Sequence, residues 1–331
     1  MKLEGKRILV TGAGGFIGSH LAELLAEKND VLVVDDFSIG SRDNLRAFET
    51  RSGARVVVAD INDLERMNEL VRGIQIVYHL AISCLRTSLG QPLMSHDVNA
   101  GGTLRTCMAA HRAGVERFVY CSSSEVYGTA LSAPMSEDHP LRPTTVYGAS
   151  KLAGENYALA YFRTYGMPVI VVRPFNTYGP REPQEGARAE VIPRFAMQLL
   201  AGRQPVVYGD GRQTRDFTFV SETARALVLA GECDALIGDV VNVAFGREVS
   251  ILRIAELLME MTGTTHVGLR HEPARPGDVL RHYADVSKAE RLLGFHAEID
   301  IEEGLRRYLD WFRREGVERG GLLESAGRPN W

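Results

Sequence analysis

Short apolar runs rich in Val and Ile recur through the first half of the chain, and each run is apolar at consecutive rather than alternate positions. Consecutive apolar positions are typical of parallel strands that are buried on both faces of a sheet. The runs therefore predict six buried strands, at residues 7–10, 31–34, 56–59, 76–81, 118–122 and 169–174.

Amphipathic segments separate these runs. Ile17, Leu21 and Leu24 recur at helical spacing, and residues 97–113 and 145–165 show a similar pattern. A regular alternation of strands and helices is typical of an α/β protein in which helices cover both faces of a parallel sheet. We therefore expect an α/β fold with a doubly wound parallel sheet.

The pattern changes after residue 174, where Pro and Gly cluster in residues 174–186 and predict a crossover loop. Shorter elements follow, which we expect to form a smaller C-terminal α/β lobe for substrate at 176–331, beside a first domain at 1–175. Segments near 216–245 and 282–290 are expected to return to the first domain. The elements predicted after the loop are helices at 189–201, 221–231, 251–262 and 301–314, and strands at 206–209 and 240–244.

Composition excludes several classes of function. The 331 residues carry a net charge of −4, so no basic surface favours nucleic acid or an anionic membrane. No apolar run reaches the roughly 18 residues of a membrane span, and the N-terminus lacks a signal-peptide pattern, so we expect a cytoplasmic protein. The histidines and four cysteines show no metal-ligand spacing, which predicts reduced thiols and no metal.

A glycine-rich stretch, TGAGGFIG at residues 11–18, joins the first strand to the first helix. Gly12 permits a tight turn, Gly15 lets a pyrophosphate approach the backbone, and Gly18 lets the helix pack close to the strand. The helix begins near Phe16 and Ile17, where unpaired N–H groups attract phosphate. The stretch predicts a Rossmann-like dinucleotide site.

Carboxylates end the second and third strands. Asp35 follows the glycines by about 20 residues, where a carboxylate accepts the ribose hydroxyls of NAD. Asp35 and Asp36 together would repel the 2′-phosphate of NADP, so NAD is the expected cofactor. Asp60 and Ile61, which end the third strand, are expected at the adenine edge.

A second group of polar residues combines S-S-S-E at 122–125 with Y-G-A-S-K at 147–151. Tyr147 and Lys151 are four residues apart and share one helix face. A nearby ammonium and a positive nicotinamide ring would lower the pKa of the phenol, so that Tyr147 could take a proton from a substrate alcohol. Ser123 would hold the same oxygen, and Lys151 would also hold the nicotinamide ribose.

Taken jointly, these motifs resemble those of the extended short-chain dehydrogenase/reductases, in particular the NAD-dependent nucleotide-sugar epimerases, dehydratases and decarboxylases. The resemblance spans nearly the whole chain and includes HLA at 79–81, SSSEVYG at 122–128, RPFNTYGP at 173–180 and RPGDV at 275–279. It implies a Ser123, Tyr147 and Lys151 triad. It also implies cofactor contacts at Leu80, Ala81 and Pro174, diphosphate contacts at Asn176, Arg215 and Arg275, and sugar contacts at Cys84 and Arg86.

The resemblance also implies oxidation of the sugar at C4 to a ketone, and it leaves the following step open. Glu125 could remove the C5 proton, as in a 4,6-dehydratase, which is the reaction we favour; Ser124 stands where dehydratases carry an Asp acid. The alternatives are a 4-epimerase, a UDP-glucuronate decarboxylase and a catalytically silent NAD-binding regulatory subunit. The resemblance further implies a UDP-sugar substrate and a homodimer formed through the helices at 97–113 and 145–165.

Overall fold

The computed structural model of the chain describes residues 1–184, 189–274 and 279–315. Its strands are β1 Arg7–Thr11, β2 Asp30–Asp35, β3 Arg55–Val58, β4 Ile76–His79, β5 Arg117–Cys121, β6 Val169–Pro174, β7 Thr177–Tyr178, β8 Val206–Tyr208, β9 Thr214–Asp216, β10 Thr218–Phe219, β11 Val240–Val243, β12 Glu248–Ser250 and β13 Arg270–Glu272.

The α-helices are α1 Phe16–Leu25, α2 Arg46–Glu49, α3 Leu64–Leu70, α4 Leu85–Gly90, α5 Pro92–His96, α6 Thr103–Ala113, α7 Val146–Tyr165, α8 Val191–Leu200, α9 Val220–Glu232, α10 Ile251–Thr262, α11 Ser287–Leu293 and α12 Ile301–Glu315. Short 3₁₀ turns include Ser124–Val126, which begins three residues after the end of β5.

Seven parallel strands form the main sheet in the order β11-β6-β5-β4-β1-β2-β3. The direction of strand addition reverses between β1 and β4, so the loops that follow these two strands diverge to opposite faces. A crevice therefore opens at the carboxyl ends of the strands, where ligands of such sheets bind. The predicted α/β class and doubly wound parallel sheet are confirmed.

Burial on both faces holds for the inner strands but not for β3. All four residues of β4 and all five of β5 are buried, whereas Val58 of β3 is 62% exposed. The prediction that every apolar run is buried on both faces was wrong for β3, because this strand lies at the edge of the sheet and pairs only with β2. Its Val-rich sequence carries no signal that distinguishes an edge strand from a central one.

Helices cover the two faces of the sheet with separate apolar cores. On one face α1 and α9 pack through residues such as Leu21, Leu25 and Leu227, and on the other α6 and α7 pack through residues such as Cys107 and Leu159. The C-terminal segment 220–243 thus returns to the sheet, as α9 and as the edge strand β11.

A third core lies apart from the sheet. It joins α8, α10 and α12 through side chains such as Phe195, Leu258 and Leu305, all less than 3% exposed. The small two-stranded pairs β8–β13 and β9–β12 adjoin this core. This arrangement accords with a smaller second lobe, while the boundary at residue 175 stays a prediction.

Two segments differ from the expected local structure. The predicted helix at 97–113 is not regular, because residues Asp97–Gly102 form a π-helical turn before α6 begins. At this turn the buried Asn99 side chain accepts from the Ser83 amide at 2.7 Å and donates to the Ser83 carbonyl. The predicted crossover loop at 174–186 contains the short strand β7, which pairs with β10, and its last two residues, 185 and 186, lie outside the described part.

Candidate active site

A cleft of about 1510 Å³ runs along the carboxyl ends of the sheet strands and continues between the sheet and the third core. Drug-sized ligand pockets usually measure roughly 300–1,000 Å³, so this cleft has room for two ligands of nucleotide size. One end of its lining comes from the glycine-rich turn, the middle from the loops after β4 and β5, and the far end from α8, β8 and β13.

The glycine-rich turn forms a cradle that side chains would fill. A Cβ added at Gly12 would lie 2.5 Å from the Ala81 nitrogen, and one at Gly18 would lie 2.3 Å from the Gly12 oxygen. Helix α1 begins after Gly15 with no side chain capping its first amides and no acidic residue in its first turn. The free amide N–H groups at such a helix N-terminus attract an anion, so the turn fits the pyrophosphate of a dinucleotide.

We expect Gly18→Ala to weaken NAD binding by at least about tenfold, because the added methyl must push the Gly12 carbonyl out of the cradle, and overpacking typically costs about 1–3 kcal/mol. Titration calorimetry with NAD measures the loss. Gly90→Ala is the matched control, since a Cβ at Gly90 meets nothing within 4 Å. Equal NAD affinity of both variants would contradict the assignment of the cradle.

Asp35 is buried, and its carboxylate accepts the amide N–H of Gly14 and that of Phe37, each at 2.8 Å. Burial raises the pKa of this carboxyl above its usual value. The two amides hold the carboxylate at the wall of the cleft and leave it lone pairs for further donors. Asp36 is exposed, also lines the cleft, and accepts from the Ser38 amide and hydroxyl.

The other predicted cofactor residues line the same half of the cleft. These are Gly12, Gly15, Phe16, Ile17, Gly18, Asp60, Ile61, Leu80, Ala81 and Pro174. Sequence reasoning missed the loop at Ser38, Ile39 and Gly40, which lines the cleft beside Asp36. A Cβ at Gly40 would lie 2.5 Å from the Gly14 carbonyl carbon, and this close backbone approach is the reason for another glycine at that position.

The loop after β5 and the start of α7 meet in the middle of the cleft. Ser123, Ser124, Glu125 and Tyr147 all line it. The Ser123 side chain is a hydrogen-bonding partner of the Tyr147 phenol, and Glu125 lies near enough to act on that phenol electrostatically. A Cβ at Gly148 would come within 2.5 Å of the Glu125 carbonyl oxygen, so glycine after Tyr147 permits the helix to approach this turn.

Lys151 is 1% exposed and donates from Nζ to the Cys121 carbonyl at 2.7 Å, 4.3 Å above the centre of the Tyr120 ring. Burial lowers the pKa of Lys151 to about 8. The same effect raises the pKa of Tyr147 well above its ordinary value. Burial thus outweighs the hydrogen bond from Ser123, which lowers the pKa of the phenol, and a lowering by Lys151 together with a nicotinamide ring stays a prediction.

The predicted substrate residues lie toward the other half of the cleft. Cys84 and Arg86 line it, and Arg86 Nη2 pairs with Glu190 Oε2 at 2.9 Å, which joins the loop after β4 to the start of α8. Asn176 also lines the cleft. Arg215 lines it too, with Nη1 donating to the Val279 carbonyl at 2.7 Å. Arg275 lies outside the described residues.

Two buried groups that the sequence did not single out support this region. Asp216 accepts the backbone amides of Phe245, Gly246 and Ala284, and burial raises its pKa to about 7. The pKa of the buried His282 imidazole is lowered to about 4 by burial, so the ring is neutral near pH 7. It lies 3.4 Å from the Asn176 amide nitrogen.

Two other kinds of site are absent from residues 1–184, 189–274 and 279–315. No group of three or more His, Cys, Asp or Glu in these ranges could hold a metal ion. No helix within them is both long and apolar enough to cross a lipid bilayer. All four cysteines are free thiols in the structure.

Comparison with known proteins matches residues 9–308 to the family model described as GDP-mannose 4,6 dehydratase. The UDP-glucose 4-epimerase of Mycolicibacterium smegmatis is 37% identical, covering 93% of this chain and 99% of that protein. The UDP-N-acetyl-alpha-D-glucosaminuronate decarboxylase of Bacillus cytotoxicus is 34% identical, and the match covers 93% of this chain and 98% of that protein.

Among solved structures, the dTDP-glucose 4,6-dehydratase DesIV of Streptomyces venezuelae, crystallised with NAD bound, superposes with a TM-score of 0.88. It is 32% identical, and the match covers 96% of this chain and 99% of that chain. The three proteins carry out different reactions, and the matches span nearly the whole of each chain. NAD is therefore the cofactor that fits the glycine cradle and Asp35, and the chain belongs to the extended short-chain dehydrogenase/reductases, in the family of NAD-dependent nucleotide-sugar epimerases, dehydratases and decarboxylases.

Proposed function

We propose that this protein is an NAD-dependent nucleotide-sugar 4,6-dehydratase that works through a 4-keto sugar. The observation that carries the proposal is the position of Glu125, which lines the cleft close to the Tyr147 phenol and directly after the Ser123–Ser124 pair. A carboxylate at this place can reach the carbon next to the one that is oxidised. The substrate is a UDP-sugar, since two of the relatives are named for UDP-sugars.

Tyr147 is the base of the first step, in which it takes the proton of the C4 hydroxyl while Ser123 holds the oxygen by a hydrogen bond. When bound, NAD supplies the chemistry of accepting a hydride from carbon and returning it later. Lys151 holds the nicotinamide ribose and contributes positive charge near the phenol.

Glu125 acts on the resulting ketone, which acidifies the neighbouring C5–H bond. It takes the C5 proton and delivers it to the C6 hydroxyl, the C6–O bond breaks, and water leaves with a double bond between C5 and C6. With NAD bound, a hydride would be returned to C6, and Glu125 would carry a proton from solvent to C5. Ser124 contributes no acid to this step, because an alcohol is a poor proton donor and its residue is 4% exposed.

A 4-epimerase is the second candidate, and the Ser at position 124 favours it because the site then lacks a separate acid for the leaving hydroxyl. Incubation with NAD and a panel of UDP-, dTDP- and GDP-sugars tests the proposal by the mass of the product. A product lighter by one water supports dehydration. An isomer of unchanged mass supports epimerisation, loss of carbon dioxide supports decarboxylation, and no turnover of any sugar supports a catalytically silent NAD-binding subunit.

We also propose that two copies associate through α6 and α7. A depression on this surface has a mostly apolar lining, with Tyr157 37% exposed. Its lining residues are Leu64, His96, Ala100, Gly101, Leu104, Arg105, Met108 and Tyr157. Light scattering should give the mass of two chains, and the mass of one chain would contradict this proposal.

A further inference from the structure

A buried cluster of polar side chains lies beneath the turn at residues 123–126, which carries Ser123 and Glu125. Its centre is an ion pair between Glu155 of α7 and Arg173 of β6, which are 1% and 2% exposed. Removing two charges from water is costly, and such a pair often contributes little net stability. The hydrogen bonds around the pair indicate a different role.

One set of bonds reaches the near end of the turn. Ser122, which immediately precedes it, donates from Oγ to Glu155 Oε2 at 2.8 Å. Glu155 lies four residues after Lys151 and eight after Tyr147, so the three side chains share one face of α7. Along this face Tyr147 meets Ser123, Lys151 binds the Cys121 carbonyl, and Glu155 binds Ser122. The helix therefore contacts three successive residues at the exit of β5.

Another set of bonds reaches the far end. Arg173 donates from Nε to Glu155 Oε2 at 3.1 Å and from Nη1 to the Tyr127 hydroxyl at 2.7 Å. Tyr127 directly follows the turn, and its amide donates to the Ser124 carbonyl at 3.1 Å. The Tyr127 hydroxyl in turn donates to Asn242 Oδ1 of β11 at 2.7 Å. Arg173 thus connects Glu155 to Tyr127, the residue that follows the turn.

We propose that Glu155 is a positioning residue that anchors both ends of the 123–126 turn, through Ser122 at one end and through Arg173 and Tyr127 at the other. The proposal rests on the proposed function for its kinetic consequence, because the turn presents Ser123 and Glu125 to the sugar. Small displacements of a reacting group are costly, and about 1 Å can cost 10²-fold in rate.

Two variants separate the two ends while leaving Ser123, Glu125, Tyr147 and Lys151 unchanged. Ser122→Ala removes the hydroxyl at the near end, and Tyr127→Phe removes the hydroxyl at the far end. Tyr78→Phe is the matched control, because the Tyr78 hydroxyl is also buried but has no hydrogen-bond partner among the described residues. Amide hydrogen exchange, read by mass spectrometry on the NAD-bound protein, gives a measurement that requires no turnover.

We expect both variants to speed exchange in the peptide spanning residues 123–128 while exchange of the β4 and β6 amides stays unchanged. If the Glu155 cluster only stabilised the fold, the variants would instead speed amide exchange throughout the core or leave it unchanged everywhere. We expect kcat for a nucleotide sugar to fall about tenfold with KM nearly unchanged. Adding Ser122→Ala to Ser123→Ala should cause little further loss, because a positioning residue acts through the residue that it places.

Unchanged local exchange in Ser122→Ala and Tyr127→Phe, or a matching change in Tyr78→Phe, would overturn the anchoring role. Faster local exchange with kcat within twofold of the natural chain would overturn the kinetic role. If no nucleotide sugar is turned over by the natural chain, the proposed function fails, and the exchange measurement still decides whether Glu155 anchors the turn.

Discussion

Replacing Tyr147 with Phe is expected to lower turnover of the nucleotide sugar by about 10³- to 10⁴-fold while NAD remains bound. The substitution deletes only the hydroxyl that is proposed to take the substrate proton, and general-base catalysis typically contributes about 10²- to 10⁴-fold. Steady-state kinetics with the substrate found in the panel, together with NAD titration calorimetry, measures the two quantities separately.

The pH dependence of the rate of C4 oxidation provides a control for the Tyr147→Phe variant. Burial raises the pKa of Tyr147, so the reactive phenolate becomes more populated as pH rises, and the rate of C4 oxidation in the natural chain should increase with pH. The Phe variant has no phenol to titrate and should lose this dependence. Retention of most activity in the Phe variant would exclude Tyr147 as the base.

Replacing Glu125 with Gln is expected to slow the release of water by about 10²- to 10⁴-fold, because Gln cannot take the C5 proton. Oxidation at C4 does not need this carboxylate and should remain detectable. The measurement is single-turnover mixing of the NAD-bound variant with substrate, following near-ultraviolet absorbance for the first step and product mass for the second.

Glu125→Asp is the conservative control, since it keeps a carboxylate on a shorter side chain and should recover part of the dehydration rate. A Glu125→Gln variant that forms the dehydrated product at the natural rate would remove Glu125 from the reaction. A variant that converts the sugar normally into its 4-epimer would show that the natural reaction is epimerisation.

Local signals in the sequence predicted much of the fold. The run VIVVRP forms β6 at the predicted residues 169–174, and the amphipathic stretch at 251–262 forms α10 over the predicted range. Both elements are determined by the period of their own apolar residues, which is a local property. The glycines at 12, 15 and 18 likewise specify the tight turn between β1 and α1, because larger residues would not fit there.

Features that depend on distant packing were not predictable in the same way. The exposure of β3 follows from its position at the edge of the sheet. The pKa of Tyr147 is raised because the surrounding elements exclude solvent from its phenol. The anchoring of Ser122 by Glu155 joins residues 33 positions apart. Its one signal in the sequence was the four-residue spacing that places Glu155 on the face shared by Tyr147 and Lys151.

The central claim is that hydride leaves C4 of the sugar and returns to C6 of the same molecule. A UDP-hexose carrying deuterium at C4 tests this claim directly, with the position of the label in the product determined by nuclear magnetic resonance. The account predicts a product lacking one water, with the deuterium at C6. Deuterium that stays at C4 in a product of unchanged mass would contradict it.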